Sequence, residues 1–120
     1  MAVSGEKEPS GLYVLRISGV FTNEQRKAME NAGRAEIDRR SKIRILVLAD
    51  GFAGWGKEGN WGDIRFMLEY DPYIDKIAVV AEEKWRDPFL MFLAAGYRKA
   101  AVEFFPSGQE SKAREWLGAG

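Results

Sequence analysis

Two rhythms of apolar and polar positions alternate along the chain. Residues 12–21, LYVLRISGVF, are rich in β-branched and aromatic side chains and read as a strand. Thr22 then stands where it can cap a helix, and Gln25 completes a capping box. Met29, Ala32 and Ile37 recur near helical spacing among charged residues, which predicts a helix running to about Arg40, weakened a little by Gly33. Residues 43–49, IRILVLA, are almost continuously apolar, as a strand buried on both faces should be. After a glycine-rich stretch, Trp61, Ile64, Met67 and Leu68 line one side of a second helix, which Pro72 stops.

Residues 74–81 form a third buried strand, and Asp87-Pro88 opens another helix. Residues 101–105 form a fourth strand. Ser107 to Glu110, SGQE, reads as a second capping box before a last helix with Ala113, Trp116 and Leu117 inside. The order β-α-β-α-β-α-β-α predicts one α/β domain over residues 1–120. Its expected sheet is mostly parallel, of four or five strands, with about four helices. The first ten residues are expected to be a loose N-terminus or to hold a short extra strand.

Composition narrows the chemistry more than it narrows the fold. Eighteen basic residues balance eighteen acidic ones, so no electrostatic footprint argues for nucleic acid. MAVSGEKEPS lacks the apolar core of a secretion signal, and FLMFLAA (residues 89–95) is far shorter than a bilayer span of ~20 residues. A cytoplasmic protein is expected. The chain has neither cysteine nor histidine. That excludes thiolate nucleophiles, cysteine-ligated zinc and every Ser-His-Asp arrangement, leaving acid–base work to Asp, Glu, Lys or Tyr.

The stretch GFAGWGKE, Gly51 to Glu58, comes within one residue of the phosphate-binding pattern G-x-x-x-x-G-K-[ST]. Glu58 stands where the metal-binding hydroxyl belongs and would repel phosphate at close range. Trp55 is bulky for a loop wrapped around an anion, and Lys57 precedes the expected helix start near Asn60 or Trp61. The stretch therefore reads as a glycine-rich, mobile connection, a lid with Trp55 as its working part, rather than a nucleotide cradle.

From Trp61 onward, WGDIRFMLEYDPYIDKIAVVAEEKW resembles the SpoIIAA-like bacterial proteins, relatives of the STAS domain that are also similar to the Sec14 (CRAL-TRIO) lipid-binding fold. The resemblance extends from Leu12 to Leu117. It is carried by RISGVFT, by Trp61 and Asp63, by IAVV with Lys84-Trp85, and by Phe104-Phe105 and Arg114 to Leu117. It implies a STAS-like α/β fold and no catalytic signature. Partner-switching STAS regulators carry a phosphorylatable Ser or Thr where the loop enters the helix. Here no Ser or Thr occurs between Lys42 and Pro106, and the loop offers Gly59, Asn60, Trp61 and Asp63 instead. Serine switching at that position is excluded.

Trp55, Trp61 and Trp85 all follow strands, and in a parallel sheet those carboxyl ends share the edge where open α/β folds hold ligands. With Phe52 and Phe89 they either wall an apolar pocket or cap the core where loops fold over it. Phe89, Leu90, Met91, Phe92 and Leu93 are consecutive and apolar on all sides of a turn. Phe89, Met91 and Phe92 are therefore candidates for contact with a second subunit, a lipophilic ligand or a membrane surface, with Arg86 and Arg98-Lys99 facing anionic headgroups. Asp50, Glu58, Asp63 and Glu82-Glu83 gather near the same edge, as a hard-metal or acid–base set or as solvated charges favoured at helix starts. The expectation is a non-enzymatic module without metal or cofactor, forming a homodimer. It would hold an apolar or amphipathic molecule through Phe52, Trp55, Trp61, Trp85 and Phe89. The alternative is a regulatory module whose apolar helix docks a protein partner.

Overall fold

The computed structural model describes residues 2–9, 11–36, 43–56, 71–93 and 100–118. Six strands form one sheet: β1 (Ala2–Lys7), β2 (Leu12–Phe21), β3 (Ile43–Leu48), β4 (Phe52–Trp55), β5 (Ile74–Ala81) and β6 (Ala101–Pro106). Three α-helices lie among the described residues: α1 (Asn23–Glu36), α2 (Arg86–Phe92) and α3 (Glu110–Leu117). The expected helix beginning at Trp61 lies outside them. The strands run in the order β1-β2-β3-β5-β6, with β4 also pairing β2. All pairings are parallel except β1 with β2. The sheet is thus mixed: the short N-terminal strand is real, and the reversal through Glu8 and Gly11, whose N–H groups donate to Leu12 and Glu8 carbonyls, sends it back antiparallel.

Alternation along the central strands separates two apolar layers, because successive side chains of a strand face opposite ways. Tyr13, Leu15, Ile17, Ile43, Val47, Val79 and Phe104 enter one layer, while Leu12, Val14, Leu46, Leu48, Ala78 and Val80 enter the other. A register shift between Ile43 and Arg44, where Ile43 pairs Ile74 but Arg44 pairs Lys76, lets both Ile74 and Ile77 reach the first layer. Met29 of α1 and Phe89 of α2 cover that layer, and Ala113 and Leu117 of α3 cover the other.

The capping box at α1 forms as its residues dictate. The Thr22 N–H donates to Gln25 Oε1 at 2.9 Å, and the Gln25 N–H donates to Thr22 Oγ1 at 3.2 Å. The expected box at α3 does not form. Gln109 occupies the cap position without a side-chain hydrogen bond, because Gly108 turns the chain at φ 92° and the Ser107 N–H is spent on the Ala81 carbonyl. α3 is fixed at its other end instead. Arg44 Nη1 donates to the Leu117 carbonyl at 2.7 Å and Lys76 Nζ to the Trp116 carbonyl at 2.9 Å, so two strand cations meet the negative end of the helix. Arg114 also grips Glu8 at 2.8 and 3.2 Å and Glu110 at 2.9 Å, tying α3 to the turn after β1.

Candidate functional site

The glycine-rich stretch is not a free loop, which corrects the expectation of a mobile lid. Residues 52–55 form β4, which carries on along β2 where β3 leaves off: Arg16 pairs Leu48, Gly19 pairs Phe52 and Phe21 pairs Trp55. Two steps along β2 are matched by three along β4, so β4 is bulged, with Gly54 at φ 106° inside the bulge. This decides the site. Residues three apart in a regular strand face opposite ways, whereas the bulge returns Trp55 to the face that holds Phe52. One backbone donor that a phosphate cradle would need is already used: the Gly56 N–H bonds the Phe21 carbonyl at 2.8 Å. Lys57 and Glu58 lie outside the described residues.

Strand β5 leads straight to the second wall. From Ala81 the chain passes through a short 3-10 turn, Glu83–Trp85, into α2. Pro88 falls in the first turn of α2, where its missing N–H costs nothing. The turn brings Trp85 over β4, and a Cβ on Gly54 would lie 3.3 Å from Trp85 Cη2. Only glycine permits both that φ and that approach.

Five aromatic side chains meet here. Phe52, at 4% exposure, stands at the centre, with its ring 4.9 Å from Trp55, 5.0 Å from Trp85 and 4.8 Å from Phe89. Trp55 also touches Phe89 at 5.0 Å, Phe92 at 5.4 Å and Trp85 at 6.1 Å. Most of these contacts are edge-to-face, the arrangement the ring quadrupoles favour, worth about 0.5–1.5 kcal/mol per pair beyond burial. Phe92 further meets Phe21 at 6.1 Å.

Of the residues expected from the sequence, the structure brings together Phe52, Trp55, Trp85 and Phe89; Trp61 lies outside the described residues. Phe89 is buried at 3%, Phe92 is half-buried within the cluster, and Met91 stands out at 81% exposure. The apolar run of α2 therefore divides between an inner face and one projecting methionine. Phe21 and Phe92 were not expected in the cluster, although Phe92 lies on the helix face of Phe89, a spacing of three that sequence alone displays.

The cluster contains one electrostatic anomaly. Trp55 Nε1 and Trp85 Nε1 are both buried and have no hydrogen-bond acceptor among the described residues. A buried donor without an acceptor carries a desolvation cost of about 1–3 kcal/mol. Around the rim, Lys84 Nζ lies 5.5 Å from the Trp85 ring, and Arg86 reaches Glu83 at 3.7 Å between exposed side chains. Asp50, Glu82 and Glu83 are exposed, and Glu58 and Asp63 lie outside the described residues. Among the described residues, no three or more of His, Cys, Asp and Glu are grouped to hold a metal ion, and no helix is long and apolar enough to cross a membrane.

A second buried polar group sits on α1. Arg26, 4% exposed, donates from Nε to Asn23 Oδ1 at 2.9 Å and pairs with Glu30 at 3.0 Å. The spacing to Asn23 and Glu30, one turn either way along a helix, was its only sequence signal.

Comparison with known proteins agrees with this architecture. The family model described as SpoIIAA-like matches residues 12–118. The chain belongs to the SpoIIAA-like family. A crystal structure of an uncharacterized protein with a SpoIIAA-like fold from Shewanella loihica is similar at 16% identity and TM-score 0.74, covering 97% of this chain and 92% of that one. At that identity the likeness concerns the fold. No curated protein matches the chain.

Proposed function

We propose that this SpoIIAA-like domain is a non-enzymatic binding module that takes an apolar or amphipathic small molecule against the half-buried faces of Trp55, Trp85 and Phe92. The observation that carries the reading is the position of the cluster. Aromatic rings from β4, the turn before α2 and α2 itself converge at the carboxyl edge of a parallel sheet, the edge at which open α/β folds hold ligands. Phe52 and Phe89, being buried, are the floor that positions the others. The lack of histidine and cysteine removes the commonest general base and the thiolate nucleophile.

Tryptophan emission during titration with a panel of neutral lipids and fatty acids tests this. Binding shifts the emission with saturation, and Trp55→Ala weakens it. A panel in which no member changes the emission removes the reading.

A regulatory protein contact through α2 has its own support in the exposed Met91. Met91→Ser is the variant that separates the two, since it leaves the cluster intact: loss of a partner with retained ligand binding would favour the protein contact.

A further inference from the structure

β1 (Ala2–Lys7) closes one edge of the sheet, pairing only β2 among the described residues. Ser4, Gly5, Glu6 and Lys7 are all exposed. The turn after β1 fixes which of its backbone groups face outward. The Glu8 N–H donates to the Leu12 carbonyl, so Glu8 and Leu12 form a hydrogen-bonded pair. By the alternation of an antiparallel ladder, Glu6 with Val14 and Ser4 with Arg16 are hydrogen-bonded pairs too. Val3, Gly5 and Lys7 therefore direct their N–H and C=O groups away from β2. Such a row is a template for another strand. β6, at the other end of the strand order, closes on Pro106, which has no N–H to give.

The outward row is complementary to itself. Turned about a two-fold axis at Gly5, normal to the sheet, it meets a second β1 antiparallel, with Gly5 facing Gly5 and Val3 facing Lys7. Every outward donor and acceptor from Val3 to Lys7 is then used. The neighbouring registers fare worse. One sets Glu6 directly against Glu6, and the other, with Val3 against Gly5, leaves Lys7 beyond the first residue of the partner strand. In the Gly5 register Ser4 lies opposite the partner's Glu6, and on its other side Ser4 pairs Arg16. A cation and a carboxylate thus flank a small hydroxyl. They stand two strand spacings apart, about 9.5 Å, a gap that exposed Arg and Glu side chains close. Tyr13 completes the face, because its hydroxyl lies where a Cβ on Gly5 would go and the ring covers the glycine on the axis.

We propose that β1 is a self-association strand: two copies of this chain join edge to edge through β1, antiparallel about Gly5, into one continuous sheet. The contact is separate from the aromatic cluster, since β1 and β4 flank β2 on opposite sides, and it does not depend on ligand binding.

Sedimentation equilibrium of the full chain, from micromolar to millimolar protein, tests this alongside amide exchange read residue by residue. The expected result is a reversible dimer whose formation slows exchange at Gly5 and Lys7. Ser4 and Glu6, already bonded to β2, should not change. Lys7→Pro deletes an outward donor without touching the ladder and should leave the chain monomeric. Charge tests the register. Ser4→Lys faces the partner's Glu6 and should tighten the dimer about two- to thirtyfold, the worth of two symmetric cross-strand pairs; Ser4→Glu should weaken it over the same range. Within one chain the order reverses, because Ser4 pairs Arg16: at low concentration Ser4→Glu should melt higher than Ser4→Lys.

A chain that stays monomeric throughout overturns the proposal, as does a dimer that Lys7→Pro leaves intact. Affinity moved in the same direction by both Ser4 variants overturns the register about Gly5.

Discussion

Gly54 is the residue on which the geometry of the cluster turns, and its replacement by alanine has a consequence that can be worked out in advance. The residue has φ 106°, where an L side chain is strained by about 1–2 kcal/mol. Its new methyl would also sit 3.3 Å from Trp85 Cη2 and 3.8 Å from Cζ3. The indole cannot simply withdraw, because Phe52 at 5.0 Å and Trp55 at 6.1 Å hold it from the other side. Overpacking of this kind costs about 1–3 kcal/mol more. Gly51→Ala supplies the control: Gly51 has φ 72° but nothing within 4 Å of its would-be Cβ, so only backbone strain applies. Urea unfolding should therefore show Gly51→Ala destabilised by about 1–2 kcal/mol and Gly54→Ala by about 2–5 kcal/mol. At roughly 4 °C per kcal/mol for a domain of this size, the second variant melts about 8–20 °C lower. Near-ultraviolet circular dichroism should lose the coupled tryptophan signal in Gly54→Ala alone. Equal destabilisation of the two variants, with that signal retained, would refute the placement of Trp85 on the bulge.

Other outcomes follow from the same contacts. Phe52→Ala removes the ring that three aromatics touch and should cost about 3–5 kcal/mol by denaturant unfolding, against a change within about 0.5 kcal/mol for the exposed Met91→Ala. Thr22→Ala breaks the observed capping box and should cost about 1 kcal/mol in the same assay. The hydrogen bond from Arg114, aided by the charges of Arg114 and Arg16, holds the Glu8 carboxyl below its ordinary range against the opposing effect of partial burial. A depressed carboxyl stabilises the fold above its unfolded value and loses that contribution as pH falls through the folded value. The melting-temperature gap between the native chain and Glu8→Gln should accordingly be present at neutral pH and close progressively below about 4.5. A gap unchanged on acidification would show that the Arg114 contact is not what Glu8 contributes.

Much of the frame was legible in the residues, because it depends on local periodicity. Leu12 to Ile17, Leu46 to Leu48 and Ile77 to Ala81 alternate between two apolar layers, and such runs read as strands covered on both sides. Thr22 and Gln25 form their box within four residues, so no tertiary information is needed to see it. β4 was hidden for the opposite reason. Its glycines suppress strand propensity, and its pairing partner, β2, lies thirty residues away on the far side of α1.

The same bulge conceals the site. Phe52 and Trp55 are spaced as though they faced apart, and only Gly54 at positive φ brings them to one face. Ser107 to Glu110 misleads in the reverse direction, since the motif is present but Gly108 places the serine in a turn outside the helix. The unmet indole donors cannot be read from sequence at all, as they depend on what three separate segments leave around two nitrogens.

On the proposed reading, the Trp55–Trp85 cluster holds an apolar molecule. Native mass spectrometry of the protein isolated from its own host, paired with organic extraction, shows whether it does. The predicted result is a retained small molecule, released by extraction and absent from Trp55→Ala prepared in the same way. A bare polypeptide mass, in a protein that also takes up nothing from a panel of neutral lipids, would contradict it.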